Sequence, residues 1–566
     1  MKAVSRFMKA GLRFVAACLL VLLQAATRLP TTSRLYAAPR EEGASRPLVR
    51  LNTVGFLPGR AKRASVAGAC AGAGFRVVNV ADGKTVFRGK AGGPLHNDDT
   101  NEELCVADFS ALRRPGVYRL EVEGVGSSAT FRVGQDVYGA AFRTTLRAMH
   151  LWRCGAAVRA EHEGVVYTHG ACHLQDAWLD LAGGGHARRD STKGWHDAGD
   201  YNKYVVNAGF TVGVMLRAWE EFGAQIRKTD LGFPKEEKGL PDYLNEIKWE
   251  TDWLLTMQAA DGSVFHKVST KEFGPAILPE EETTPRYFAP WSTAATADFV
   301  AVMAMSARAF RPYDGPYARR CLEAARRSYA FLRAHAEEHR ADLREFRTGG
   351  YQTPDGDERL WAAVELWETT GESDYLKDFE RRAPAFRFEA DWGWSNVQNL
   401  ALVTYLFSER VGRDVRLVRR LRKNLLATAD AVVRLGAAHG YARTLARYYW
   451  GANGGVAATT VLLQAANRVA PSAAYVETAL DALSHLFGRN LYGRSFVTGV
   501  GANPPQHPHD RRSMAREGSH AWPGYLVGGG WPRASDWKDE SANYQVNEIA
   551  INWNAALIYA LAGFVE

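Results

Sequence analysis

Cysteine is scarce in this chain, and pronounced apolar runs are scarcer. Six cysteines occur in 566 residues. Cys18 falls in the leader, which leaves Cys70, Cys105, Cys154, Cys172 and Cys321. An odd number excludes complete pairing in an exported protein. Cys70 and Cys105 share one small N-terminal module and are a candidate disulfide. Cys321 lies in a helical pattern and reads as a buried free thiol. The one marked apolar run, FVAACLLVLLQAA over 14–26, follows the basic stretch MKAVSRFMKAGLR. It is too short for a membrane span and has the layout of a secretory signal peptide. Residues 1–38 are therefore expected to be a signal peptide with an unfixed cleavage site, and the mature chain periplasmic or secreted. Cys18 sits in a faint lipoprotein-box context, but the apolar run continues past it.

A true charge excess is also missing. The leader holds six Lys or Arg and no acid, so the formal +8 falls to about +2 in the mature chain. That removes any electrostatic case for a nucleic-acid partner. With 46% hydrophobic and 23% charged residues, the chain is neither disordered nor fibrous. No short internal repeat and no long low-complexity linker is visible, so a repeat array is excluded. Aromatics, by contrast, are plentiful, with 16 Trp. They can fill a large core or stack on the apolar faces of sugar rings, and composition does not choose between these.

The length predicts two or more domains. Residues 47–135 read as short strands: RPLVRLNTVGF, FRVVNVADGKTVFRG, GVYRLEVEG and SSATFRV are rich in β-branched and aromatic residues and punctuated by Gly, Asp and Asn. A β-sandwich is expected there. From 138 to 566 the apolar period becomes helical. Eleven stretches stand out, from 139–153 to 544–563. Pro241 and Pro316 lie near starts and Gly371 beyond an end. Eleven or twelve helices fit a toroid of helical hairpins, with function left to the loops, notably 183–202, 259–292 and 488–540.

Three of those loops carry chemistry. In Gly194-Trp195-His196-Asp197-Ala198-Gly199-Asp200-Tyr201-Asn202-Lys203-Tyr204, two carboxylates three residues apart precede a helix. Like charges this close repel unless both address one water or one cation. A hydrolytic general base with a helper fits, but so do a helix cap and a calcium loop, although the latter lacks its usual glutamate. Near the C-terminus, Glu548 follows an aromatic, polar loop and enters an apolar segment. Apolar surroundings raise a carboxyl pKa and suit a general acid; a glutamate placed for the helix dipole is the alternative. In the Gly- and Pro-rich loop 495–511, His509 and Arg511 alternate along an extended segment and could hold sugar hydroxyls. A surface loop with an Arg–Asp pair is equally open.

Taken together, the three segments resemble glycoside hydrolase family 9, the cellulase family with an (α/α)6 barrel. Its histidine signature, Ser-x-Val-Thr, Gly-x-Asn and Pro-His-x-Arg, is matched from Ser495 to Arg511. Its glutamate signature is matched by Trp537, Asp539, Tyr544, Glu548 and Asn554-Ala555, and its Asp-Ala-Gly-Asp motif by 197–200. The resemblance covers nearly all of 138–566. The segment Val49 to Pro58 resembles the start of the immunoglobulin-like module that precedes many bacterial members. The resemblance implies a mainly α chain, an inverting β-1,4-glucanase of endo action, with an exo-acting glucosidase or glucosaminidase as the second reading. A non-catalytic carbohydrate-binding protein is disfavoured by the intact carboxylates. It implies Asp200 as general base, Asp197 as its helper, Glu548 as general acid, and His509, Arg511, Tyr544 and Trp450 as sugar contacts. A monomer acting on soluble or amorphous glucan is expected.

The same resemblance implies structural zinc on Cys154, Cys172, His173 and His196, a donor set that closes a tetrahedral site. A Cys154–Cys172 disulfide is the competing arrangement. It also places a calcium candidate at Asp357-Glu358 with the loop Trp394-Ser395-Asn396, although the family's usual Asp is replaced there by Ser395 or Asn396.

Overall fold

The computed structural model describes residues 46–233 and 239–566. The signal-peptide assignment lies outside the described residues.

Ten strands between Val49 and Val133 form two facing sheets. One runs β1 (Val49–Arg50), β3 (Arg63–Ala67), β7 (Glu102–Asp108), β6 (Gly92–Asn97). The other runs β2 (Gly55–Phe56), β10 (Phe131–Val133), β8 (Gly116–Val122), β4 (Gly74–Asn79), β5 (Thr85–Lys90), with β9 (Gly126–Ser127) paired to β8. Alternation drives the layering. Tyr118, Leu120 and Val122 of β8 turn inward, and Leu120 and Val122 pair with Val77 and Phe75 of β4. Between the sheets, Phe56, Phe109 and Phe131 meet with ring centroids 5.3–5.4 Å apart. Cys70 and Cys105 are joined as a disulfide.

Among the described residues, twelve helices of ten or more residues follow, and they alternate between outer and inner positions. Outer helices α1 (Gly139–Leu151), α5 (Gly315–Ala334), α7 (Ser373–Arg382), α9 (Val415–Ala438) and α11 (Ala473–Leu486) keep a polar face, whereas the outer helix α3 (Asp242–Thr256) is largely covered. In α9, for example, Leu417, Leu421, Leu425, Ala429 and Val432 are buried at helical spacing while arginines face outward. Inner helices α2 (Val205–Ile226), α4 (Thr293–Phe310), α6 (Gly356–Thr370), α8 (Gln398–Phe407), α10 (Ala452–Val469) and α14 (Ile551–Ala562) are buried nearly all round. A helix without a polar face must be enclosed, and these six line an inner ring. Helix α2 packs on α4, α4 on α6, α6 on α8, α10 on α14, and α14 back on α2. Two short helices, α12 (Arg511–Met514) and α13 (Tyr544–Asn547), lie in the loops.

The structure departs from the periodicity in three places. The stretch 544–563 is not one helix: Glu548 is extended, with ψ 160°, between α13 and α14. The short α7 was hidden because only Leu376 and Phe379 are buried in it. A hairpin, β11 (Val158–His162) and β12 (Val165–His169), interrupts the helical region. Its Glu163-Gly164 turn has both residues at positive φ, the conformation that two-residue hairpins need. Gly371 caps α6 at φ +78°, as its position suggested. Cys321 is a buried free thiol.

The sandwich is bonded to the helical ring. Asp99 accepts from His439 at 2.9 Å and Tyr448 at 2.7 Å, the Tyr441 hydroxyl donates to Glu102 at 2.5 Å, and the Thr53 amide donates to the Phe487 carbonyl at 3.0 Å.

Close approach of inner helices depends on small residues. A Cβ at Gly213 of α2 would fall inside contact distance of the Trp361 ring on α6. Gly213→Ala should cost roughly 1–3 kcal/mol by overpacking and lower the melting temperature in calorimetry; an unchanged value would show that Trp361 has room to move.

Candidate active site

The inner helices run in the same sense, so their N-termini gather at one end. A cavity of about 350 Å³ opens there. Its walls are Asp197, Ala198, Asp200 and Tyr204 before α2, Phe273 in the loop before α4, Gly349, Gly350 and Tyr351 before α6, Trp394 before α8, Trp450 before α10, and Glu548, Ala550, Asn552 and Trp553 at the start of α14. Loops carry the chemistry because the helices are spent on packing. The helix ends also present positive dipole ends to the buried carboxylates.

Three backbone hydrogen bonds hold the carboxyl-bearing segments together. The Ile551 amide donates to Asp197 at 2.9 Å, the Arg511 amide to Gly199 at 3.0 Å, and the His509 amide to Asn547 at 2.8 Å. Asp197 and Asp200 are 2% and 7% exposed. Asp197 accepts from Asn207 at 2.7 Å and from the Tyr351 hydroxyl at 2.7 Å. Asp200 accepts from Asn202 at 2.6 Å and from the Tyr204 hydroxyl at 3.1 Å. Tyr351 is held at φ +44°, a strained conformation for an aromatic residue and one that clusters at functional sites.

Burial raises all three carboxyls. Asp197 is pushed up to about 8, first by desolvation and then by the charge of Asp200. Glu548 lies well above the carboxylate range, by desolvation and then by Asp200 and Asp197. Asp200 is also raised by desolvation, but the Arg511 charge opposes this. Asp200 alone combines a nearby cation with two side-chain donors, which favour its charged form, whereas the charges of both aspartates favour the neutral form of Glu548.

The other expected sugar contacts divide. Trp450 is a cavity wall, and Tyr544 stands beside it with centroids 5.2 Å apart; both are more than 40% exposed. His509 donates from Nδ1 to the Ser541 carbonyl, 2.7 Å away, and its ring lies 5.8 Å from Tyr544. Arg511 is not a wall. It is buried, and its guanidinium pairs with Glu282 at 2.9 Å. Motif reading did not single out Tyr204, Tyr351, Trp394, Trp553, Asn552, Phe273 or Glu282 for the site. For Tyr351 the only signal was the preceding Gly349-Gly350, and for Glu282 there was none.

Behind the Asp197 loop, Cys154, Cys172, His173 and His196 bring one donor atom each to within 4.8 Å of one another. Both cysteines are free and buried, so the competing disulfide does not form. The outer nitrogen of His173 faces Glu282 at 3.2 Å, leaving Nδ1 toward Cys154. Two thiols, two imidazoles and a carboxylate behind one of them fit a tetrahedral metal ion. Among the described residues no other such group of three or more His, Cys, Asp or Glu occurs. Of the calcium candidates, Asp357, Ser395 and Asn396 have protein partners. Asp357 accepts the Val397 amide at 2.5 Å, the Ser395 carbonyl takes the Thr353 hydroxyl at 3.0 Å, and Asn396 bonds Gly393 and Asp391. Both carboxylate oxygens of Glu358, by contrast, are buried with no hydrogen-bond donor.

A double ring of helices with buried carboxyls in an aromatic cleft fits a glycoside hydrolase. Comparison with known proteins makes the family definite: the chain belongs to glycosyl hydrolase family 9, whose model matches residues 138–561. A cellulase N-terminal immunoglobulin-like domain model matches residues 44–127. The chain is 54% identical over 92% of its length to Endoglucanase D of Acetivibrio thermocellus, covering 83% of that protein. It is 32% identical over 92% of its length to a xyloglucan-specific endo-beta-1,4-glucanase of Bacteroides ovatus, covering 93% of it. Among solved structures, a Zn-binding triple mutant of the family 9 endoglucanase J30 aligns with a TM-score of 0.85 and 36% identity, covering 90% of this chain and 99% of that one.

Gly199 lies against the His509 carbonyl, and a Cβ there would collide with it. Gly199→Ala should displace the loop bearing Asp200 and cut kcat by about 10²-fold in a folded protein. Wild-type kcat in a variant of unchanged circular dichroism would contradict the packing described.

Proposed function

We infer that this chain is an endo-β-1,4-glucanase acting with inversion. The observation that carries the reading is one cleft with three buried carboxyls in unequal surroundings: the Arg511 charge opposes the effect of burial on Asp200, while Asp200 and Asp197 add to the effect of burial on Glu548. In this reading Asp200 takes a proton from water, Asp197 helps hold that water, and Glu548 protonates the leaving oxygen. Trp450 and Tyr544 offer stacking faces to sugar rings, and His509 supports them from behind.

Endo action is favoured by the shape of the cleft. The tryptophan side continues into a second groove segment of about 550 Å³ that shares Trp394, Trp450, Asn552 and Trp553. On that side the groove extends beyond the carboxyls and has room for further sugar units of a chain. We take the metal to be zinc, held by Cys154, Cys172, His173 and His196. Four protein ligands leave no open position, so bound zinc would brace the loop of Asp197 and supply no catalytic water. The leader composition supports export. No described helix is long and apolar enough to cross a membrane.

The pH profile tests the roles. Activity should rise as Asp200 loses its proton, above the ordinary carboxylate range, and fall as pH climbs through the elevated Glu548 value. Glu548→Gln should lose at least about 10²-fold on unactivated glucan, retain binding, and show no alkaline limb. Substrates whose leaving group needs no proton should suffer much less. Equal turnover of unactivated glucan by Glu548→Gln would remove Glu548 from the acid role.

A further inference from the structure

Glu282 lies in the loop after β14 (Lys267–Ser269) and before β15 (Tyr287–Phe288), far in sequence from every motif. Its side chain is 2% exposed, and both carboxylate oxygens are engaged. Oε2 stands 3.2 Å from His173 Nε2, and Oε1 accepts from Arg511 Nη1 at 2.9 Å. The two partners have different tasks. His173 offers its other nitrogen to the Cys/His metal group. Arg511 donates its amide to Gly199, lies over the Tyr201 ring at 5.4 Å, and is the cation nearest in effect to Asp200.

The surroundings fix this carboxylate in place. A Cβ on Gly274 would meet Glu282 Oε1 at 2.7 Å, so the glycine leaves room for it. His173 is held at φ +51°, a conformation that a non-glycine residue keeps only where its neighbours enforce it. The Tyr201 hydroxyl donates to the Ile277 carbonyl at 2.5 Å and ties the Glu282 loop to the Asp200 loop. A buried carboxylate pays a desolvation penalty that only charged or hydrogen-bonded partners offset, and Glu282 has one such partner on each side.

We propose that Glu282 is a positioning residue that couples the metal group to the general base, orienting His173 with one oxygen and Arg511 with the other. This rests on the reading of Asp200 as base and of the Cys/His group as a zinc site. In metal sites, a carboxylate behind a ligating histidine sets the ring's orientation and its strength as a ligand. Here the same carboxylate also holds the guanidinium whose charge keeps Asp200 ionised. Metal retention and turnover are thereby tied to one side chain that touches neither substrate nor metal.

The test uses the purified mature chain and its Glu282→Gln variant. Two quantities are read: zinc retained against a chelator, and kcat and KM on cellohexaose. Glu282→Gln should release zinc roughly 10–100-fold more readily and lose on the order of tenfold or more in kcat, with KM little changed. A residue that merely supports its loop would lower the melting temperature and leave both readings alone, and that result would overturn the proposal. Loss of only one of the two would also overturn it, because the coupling would be absent. If the amide variant does not fold, Glu282→Asp keeps the charge but shortens the reach, and should show both losses in lesser degree; wild-type values of either would again refute the coupling. Failure of the underlying reading shows elsewhere, as wild-type protein without zinc or an active Asp200→Ala.

Discussion

The last inner helix packs against the first, and the Ile551 amide donates to the Asp197 carbonyl at 2.9 Å. This contact closes the ring of helices and assembles the active site in the same stroke. Asp197 and Asp200 precede α2, and Glu548 precedes α14. They lie some 350 residues apart in sequence, yet ring closure makes their helices neighbours. The two sides of the cleft are thus set by backbone hydrogen bonds and helix packing, with no reliance on attraction between the acids themselves. That matters because three buried carboxyls repel one another. Only a rigid frame can hold them together.

The same crowding does the chemical sorting. Desolvation acts on all three groups in one direction, so it cannot by itself distinguish acid from base. The distinction comes from what surrounds each one. Asp200 has Arg511, Asn202 and Tyr204; Asp197 has Asn207 and Tyr351 but no cation; Glu548 faces the charges of both aspartates. Arg511 is itself fixed by Glu282, whose other oxygen reaches His173. The Cys/His group behind Asp197 therefore reaches the carboxyl-bearing loop by two routes: His196 adjoins Asp197 along the chain, and His173 meets Glu282, which pairs with Arg511.

Much of this could be read from the amino acids in order. Asp200 and Glu548 stand in loops with unusual Gly, Trp and Asn content, and helix-length periodicity shows the succession of helices around them. Residues that act through tertiary contact were less legible. Glu282 lies in an unremarkable acidic run, Glu280-Glu281-Glu282, and nothing local separates it from its exposed neighbours. Arg511 looked like a sugar contact because alternation along a strand would point it with His509; in fact it begins the short helix α12 and turns onto Glu282. The break at Glu548 was masked by an apolar period that runs from Tyr544 and Val546 into the apolar segment after it and suits one helix. The segment is pulled straight by long-range pairing, with Gly528 donating to the Glu548 carbonyl at 2.9 Å. Asp357 and Glu358 stood where calcium was expected, but their neighbours Ser395 and Asn396 are committed to the loop's own hydrogen bonds.

The central claim is that Asp200 and Glu548 act from opposite sides of one cleft on a bond inside a glucan chain. Proton NMR of the first products from cellohexaose tests it most directly, before the anomers equilibrate. Cellobiose, cellotriose and cellotetraose carrying new α-anomeric ends are the predicted result. New β-anomeric ends, or glucose released stepwise from one terminus, would contradict the account.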